Sequence, residues 1–411
     1  MNSATRNVQN TYLMLLLTST LATSFIWGIN TLFLLDAGLS NLEAFAANAF
    51  FTVGMVLFEV PTGVIADTWG RRASYLLGAS TLLISTLLYV LMWQMQADFW
   101  QWAIASMLLG LGFTFFSGAV EAWLVDALHF TKFDGELESV FSKGQIVSGI
   151  AMLGGSIAGG FIAQNTNLGV PFILRVVMLG ITFVVAFVFM KDIGFTPVKG
   201  ERPIKEVKKV LHASIKHGLK NPPVRWLMLA APFTSGVGIY VFYAMQPYLL
   251  ELYGDPKAYG VAGLAAAVVA SSQIIGGLLV PFIRRQFSKR TTILLMSIIV
   301  TIFALIVFSL TSSFILAVIT LVIWGIVSAS SMPVRQAFIN GLIPSKQRAT
   351  VLSFDSLMGS SGGVVTQPIL GRTADIYSYS SSFILAGIIQ LMALPFVFLA
   401  RREHTVSDDM K

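Results

Sequence analysis

The sequence predicts an all-α membrane protein with twelve transmembrane helices in two pseudo-symmetric six-helix bundles. Three observations carry that reading. Of 411 residues, 55% are hydrophobic and only 11% charged, against roughly 25% charged in a soluble domain. Apolar runs of spanning length recur from Tyr12 to Leu399, and about 20 residues suffice to cross the hydrocarbon of a bilayer. Basic residues collect in alternate connections between those runs, as they do when one side of the chain faces the cytoplasm.

The elements follow in order. The first apolar run, 12–35, comes after a single early base, Arg6. It is too long for a signal-peptide core and lacks a small-residue cleavage site after it, so it reads as a retained span. Spans two and three, 44–66 and 73–95, flank the charged turn 67–72. Span four covers 99–127, span five 140–163 and span six 170–190. The polar, basic stretch 191–225 then divides the chain into an N-terminal bundle (1–190), a linker (191–225) and a C-terminal bundle (226–411). Spans seven to twelve fall at 226–250, 258–283, 291–310, 313–343, 350–371 and 380–400. Within the linker, Ile204, Val207, Val210, Leu211, Ile215 and Leu219 share one helical face, with Lys205, Lys208, Lys209 and Lys216 on the rest. That pattern suits an amphipathic helix lying on the membrane surface; a solvated tether is the alternative.

The net charge of +7 follows topology and does not mark a nucleic-acid surface. Most of the 27 basic residues lie in 1–11, 67–72, 128–139, 191–225, 284–290, 344–349 and 401–411. Both termini are therefore expected in the cytoplasm of a cell-membrane protein, where these bases meet anionic lipid head groups. Lys257 and Arg372 lie on the other side, with Arg175 near its surface, and Arg335 alone is expected inside a span. Trp93, Trp100 and Trp102 mark the outer interface. No cysteine is present, which removes disulfides, thiolate metal sites and a Cys nucleophile.

The turn between spans two and three reads Gly63-Val-Ile-Ala-Asp67-Thr-Trp-Gly70-Arg71-Arg72. Gly63 permits close approach of a second helix, Gly70 permits a tight turn, and Asp67 at a helix end can pair with a base or a helix dipole. This stretch resembles the signature loop of the major facilitator transporters. The resemblance extends over the chain: twelve spans, a central linker, and a degenerate second copy in Pro281–Arg290 (PFIRRQFSKR). It implies that Asp67, Arg71 and Asp126, at the inner end of span four, form a latch. The alternative is that these residues finish helix ends and set topology. Gly155–Gly160 (GSIAGG) looks like the antiporter signature of span five, with Ser156 where the family usually has proline, and has a weaker echo in Gln367–Arg372 (QPILGR). Ordinary small-residue packing would explain the same glycines. Many proton-coupled relatives carry an Arg midway along span four; Ser106 stands there, so coupling must be wired differently.

Ionisable groups in lipid are costly and thus functional candidates. They are Glu59, Glu121, Arg335 and Asp355. A desolvated carboxyl can load and release a proton in the working range, so Glu121, then Glu59, then Asp355 are the proton-coupling candidates. Stabilised packing is the competing reading for the two glutamates, and a structural ion pair for Arg335 with Asp355. All four histidines fall in cytoplasmic segments. Trp27, Asn30, Tyr240, Tyr243, Gln246 and Arg335 are candidates for lining a substrate cavity, and Gln246-Pro247 for breaking span seven; filling of interhelical space is the bland reading of each. Aromatic surface with few fixed charges suits an amphipathic ligand.

The sequence thus points to a monomeric secondary transporter, without cofactor or metal, exporting a small hydrophobic or amphipathic substrate against protons. Lipid or lysolipid movement and metabolite uptake are alternatives within transport. A membrane enzyme is disfavoured, since there is no HExxH and no Cys, and an ATP-driven pump lacks its GxxxxGK[ST] loop. A receptor without transport stays open.

Overall fold

A computed structural model describes residues 3–116, 118–197, 212, 215–344 and 348–410. Its helices are α1 (Ser3–Trp27), α2 (Asn30–Asp36), α3 (Asn41–Trp69), α4 (Arg71–Met95), α5 (Phe99–Phe116), α6 (Ala119–Phe130), α7 (Leu137–Asn165) and α8 (Gly169–Phe189). They continue as α9 (Pro222–Tyr253), α10 (Tyr259–Gln286), α11 (Arg290–Leu310), α12 (Phe314–Asn340), α13 (Arg348–Ile376), α14 (Tyr379–Leu391) and α15 (Ala393–Arg402). Among the described residues, ten spans are long and apolar enough to cross a membrane, eleven when the bent pair α1 and α2 counts as one. The remaining expected span is α13, 29 residues long, whose Ser, Gly and Gln content leaves it more polar than the rest. Twelve spans in this order agree with the fold the sequence predicts.

Local chemistry explains the departures from straight helices. Span one bends by 51° between α1 and α2, where Gly28 packs against Gly263 so closely that a Cβ would lie 2.9 Å from its Cα. Span four is interrupted before α6, where Gly118 takes φ +67°, a left-handed conformation that glycine adopts without strain. The expected break at Gln246-Pro247 is not found. Helix α9 runs unbroken through both Pro232 and Pro247, because a packed helix can absorb the one backbone bond that each proline removes. The amphipathic linker helix lies mostly outside the described residues; Ile215–Leu219 forms one π-helical turn.

The chain forms two compact units. In the first, α1 packs on α7 and α8, and α4 on α5 and α8, around Tyr12, Leu15, Tyr75, Trp123, Leu124 and Met190. In the second, α9 packs on α13 and α15, and α11 on α12 and α14, around Leu227, Met228, Leu294, Phe338 and Val351. The same pairings, first span with fifth and sixth and third with fourth and sixth, thus occur twice. The first turns of two helices cross over: residues 39–49, which start α3, belong to the second unit, and residues 257–267, which start α10, to the first. Large apolar side chains such as Leu278, Phe303 and Ile315 point outward. Glycine, alanine and serine fill the helix contacts, as expected when lipid is the solvent.

Candidate functional site

The signature turn is built around Gly70. It takes φ +109°, which strains any residue with a side chain, and a Cβ there would lie 2.3 Å from a carboxylate oxygen of Asp192. That carboxylate accepts the Arg72 backbone N–H at 2.9 Å, capping the start of α4. The Arg72 guanidinium donates to the Phe187 carbonyl at 2.7 Å. Arg71 bonds Asp67 at 2.6 Å and reaches Asp126 at 3.9 Å. The three residues singled out by the resemblance therefore meet. Asp67 is half exposed, at 51%, so the pair itself adds little stability; its value lies in geometry. Gly63 does not play the part expected of it. Among the described residues no atom lies within 4 Å of where its Cβ would be, so no helix approaches there.

The second unit repeats the arrangement. Asp408, buried and six residues beyond α15, accepts the Thr291 backbone N–H at 2.7 Å and the Thr291 hydroxyl at 2.8 Å, while Arg290 donates to the Asp409 carbonyl at 2.9 Å. Asp192 and Asp408 are thus equivalent caps on the third span of each half. Sequence reasoning missed both. Their only signal is an aspartate a few residues past the last span of each half.

The charges within spans have separate fates. Glu121 is not desolvated as expected: it sits exposed in the first turn of α6, where the positive end of the helix dipole favours a carboxylate. Tyr75 is held in place by a hydrogen bond with Ser19 and by stacking on Phe116 at 4.3 Å. Glu59 is half-buried on α3. Arg335 and Asp355 are joined by two hydrogen bonds, one of 2.6 Å from Nη2 to Oδ1 and one from Nη1 to Oδ2. Arg335 also donates to the Leu227 carbonyl at 3.0 Å. The pair ties α12, α13 and α9 together. Arg175, expected near the outer membrane surface, is packed inside the first unit. It is 2% exposed, donates to the Thr86 hydroxyl at 3.1 Å and lies over the Phe113 ring, so Arg335 is not the sole base within a span.

The remaining cavity candidates divide. Trp27 and Asn30 flank the bend of span one and are half-buried, as is Tyr243. Tyr240 and Gln246 are fully packed. The Tyr240 hydroxyl donates to Ser382 at 2.6 Å and its ring packs on Phe45 at 4.9 Å. Ser106 is buried and shares a 2.5 Å hydrogen bond with Tyr89. In the span-five run, Gly159 faces the Phe25 carbonyl, 1.9 Å from where a Cβ would sit, and Gly155 faces Ser24, so these glycines let α7 lie against α1.

The repeated bundle and the duplicated turn define a class of membrane carrier, and comparison with known proteins identifies it. The family profile of the Major Facilitator Superfamily matches residues 12–288 and 278–409. The chain belongs to the major facilitator superfamily, and it is a multi-pass membrane transporter of a small-molecule substrate, not an enzyme. It is 22% identical over 389 residues to the MFS-type transporter YxaM of Bacillus subtilis (strain 168), covering 92% of each chain. It is 24% identical over 340 residues to the multidrug resistance protein MdtG of Salmonella arizonae, covering 81% of this chain and 79% of that one. Among solved structures, the nucleoside transporter NupG matches with a TM-score of 0.76 at 11% identity over 98% of this chain and 99% of that one. A bacterial homologue of the human lysosomal transporter Spinster matches with a TM-score of 0.71 at 16% identity over 99% of both chains. These two likenesses concern the fold alone.

Proposed function

We propose that the chain is a proton-coupled exporter of small hydrophobic or amphipathic compounds that works by alternating access. The observation that carries this reading is Glu121. It is an exposed carboxylate within a span that is otherwise strongly apolar, placed in the first turn of α6. Discontinuous spans are where transporters commonly place ion and substrate groups. Asp355 is the weaker proton carrier, since its carboxylate is engaged by Arg335. Glu59 is the second carrier. The kinship with a protein named for multidrug resistance supports export. Lipid movement and metabolite uptake remain the competing readings of the same architecture.

In this reading 1–190 and 226–411 are two six-helix bundles joined by the linker 191–225, and the protein works as a monomer in the cell membrane. The distribution of basic residues supports placing both termini and the signature turn on the cytoplasmic side. Asp67, Arg71 and Asp126 then form the inner latch, with Gly70 and Arg72 fixing its turn. The test is counterflow of a labelled lipophilic cation and of a neutral amphipath in proteoliposomes. Exchange of either supports the reading. Exchange of lysolipid or a polar metabolite alone overturns the substrate assignment.

A further inference from the structure

The arginines of the second unit are held in two ways. Arg290, Arg335 and Arg348 give N–H groups to carboxylates or backbone carbonyls. Arg225 and Arg402 lie on aromatic rings. The Arg225 guanidinium carbon is 4.4 Å from the centroid of the Trp226 ring, and its buried Nε has no hydrogen-bond partner among the described residues. The Arg402 guanidinium carbon is 4.8 Å from the centroid of Phe398.

One contact brings these two bases to the same corner. The Trp226 indole donates to Glu403 Oε1 at 3.0 Å, which joins the start of α9 to the residue that follows α15. The Trp226 ring also stacks on Phe396 at 6.4 Å, and Phe396 on Phe233 at 5.8 Å, so the tryptophan has a fixed seat. Arg401 adjoins Arg402 in the last turn of α15. Three bases therefore meet one acid, and that acid already accepts a hydrogen bond. Two spans end here, and a tryptophan at such a boundary sits in the head-group layer.

The corner continues into an apolar track. Back along α15 and α14 from Arg402, the residues Phe398, Pro395 and Leu391 follow at helical spacing and are all exposed. On a membrane span that surface meets acyl chains. Arg402 stands at the polar end of the track with its stem laid on Phe398, as a base does at the edge of a bilayer.

We propose that this corner binds one anionic phospholipid, with its phosphate on Arg225 and Arg402 and an acyl chain along Phe398, Pro395 and Leu391. A guanidinium recognises phosphate through paired N–H donors, and stacking on a ring fixes its plane without using those donors. A zwitterionic lipid offers the same phosphate but brings a cation of its own, which these bases repel. Free phosphate fits the same donors but has nothing to lay on the track. The site requires only that the chain spans a membrane, and it is independent of the proton-coupled reading above.

The test uses phosphatidylglycerol brominated near its glycerol end, a contact quencher of tryptophan, with the purified full chain in detergent micelles. The Trp226 signal is the fluorescence of the parent less that of Trp226→Phe. Phosphatidylglycerol should quench this signal at a lower mole fraction than equally brominated phosphatidylcholine. Arg225→Gln combined with Arg402→Gln should raise the mole fraction of phosphatidylglycerol required by roughly thirtyfold, the usual worth of two bases at a membrane surface. Arg284→Gln combined with Arg285→Gln removes two exposed bases from the last turn of α10 and should change little. Equal quenching of the parent by the two lipids, or equal losses in the two paired variants, overturns the site. A further arm needs no variant of the arginines. Sodium phosphate should compete no better than sodium chloride at matched ionic strength; full competition by phosphate alone makes this a free-anion site and overturns the lipid.

Discussion

Asp355→Asn is a demanding perturbation, because it separates the two readings of a charge within the membrane. In the parent, both carboxylate oxygens of Asp355 bond the Arg335 guanidinium, and the carboxylate side chain is only 7% exposed. Asp355→Asn removes the charge and turns one of the two acceptor oxygens into a donor, leaving the guanidinium with one neutral amide oxygen and the Leu227 carbonyl at 3.0 Å. Breaking a buried pair from one side costs about 3–5 kcal/mol, whereas replacing both partners with apolar residues of similar size is often close to neutral. Arg335→Met should cost a similar amount. Asp355→Leu combined with Arg335→Met should regain most of the loss. The assay is reversible unfolding of purified protein in detergent micelles, analysed as a double-mutant cycle, with counterflow measured alongside. A coupling energy of about 2 kcal/mol or more, with counterflow retained by the double variant, makes the pair a structural tie between α9, α12 and α13. Additive single effects would refute the reasoning, since contacting groups must couple.

Three further outcomes follow from the same geometry. Asp408→Ala strands the N–H and hydroxyl of Thr291 and should lower unfolding stability by about 1–3 kcal/mol, with Asp408→Asn recovering most of it; equal losses in the two variants would contradict the cap. Gly159→Ala places a methyl 1.9 Å from the Phe25 carbonyl and should separate α7 from α1, lowering the melting temperature far more than Gly154→Ala, where space is open. Asp67→Asn and Arg71→Ala should leave protein in the membrane at normal amounts and abolish counterflow; full transport by both would remove the latch.

The spans were legible because lipid imposes a strong constraint: each must be long, apolar and helical to satisfy its backbone. Gly70, Asp67 and Arg71 were legible because they sit in a short charged turn, and Asp126 because the family resemblance points to an acid at the inner end of span four. Asp192 and Asp408 were not. Each acts through a backbone N–H of a helix start distant in sequence, and backbone donors leave no mark on the residue that carries them. The partners of Arg175 were not legible either; only the fold shows Thr86 and the Phe113 ring turned toward it. Tyr240 and Gln246 were read as cavity residues from their chemistry, yet both are packed in the interior.

The proposed proton coupling runs through Glu121. Its most direct test is proton-gradient-driven uptake of a lipophilic cation into inside-out vesicles, with parent protein and Glu121→Gln compared at equal protein amount. Glu121→Gln should lose gradient-driven accumulation but keep counterflow of the same compound. Undiminished gradient-driven accumulation by Glu121→Gln would contradict it.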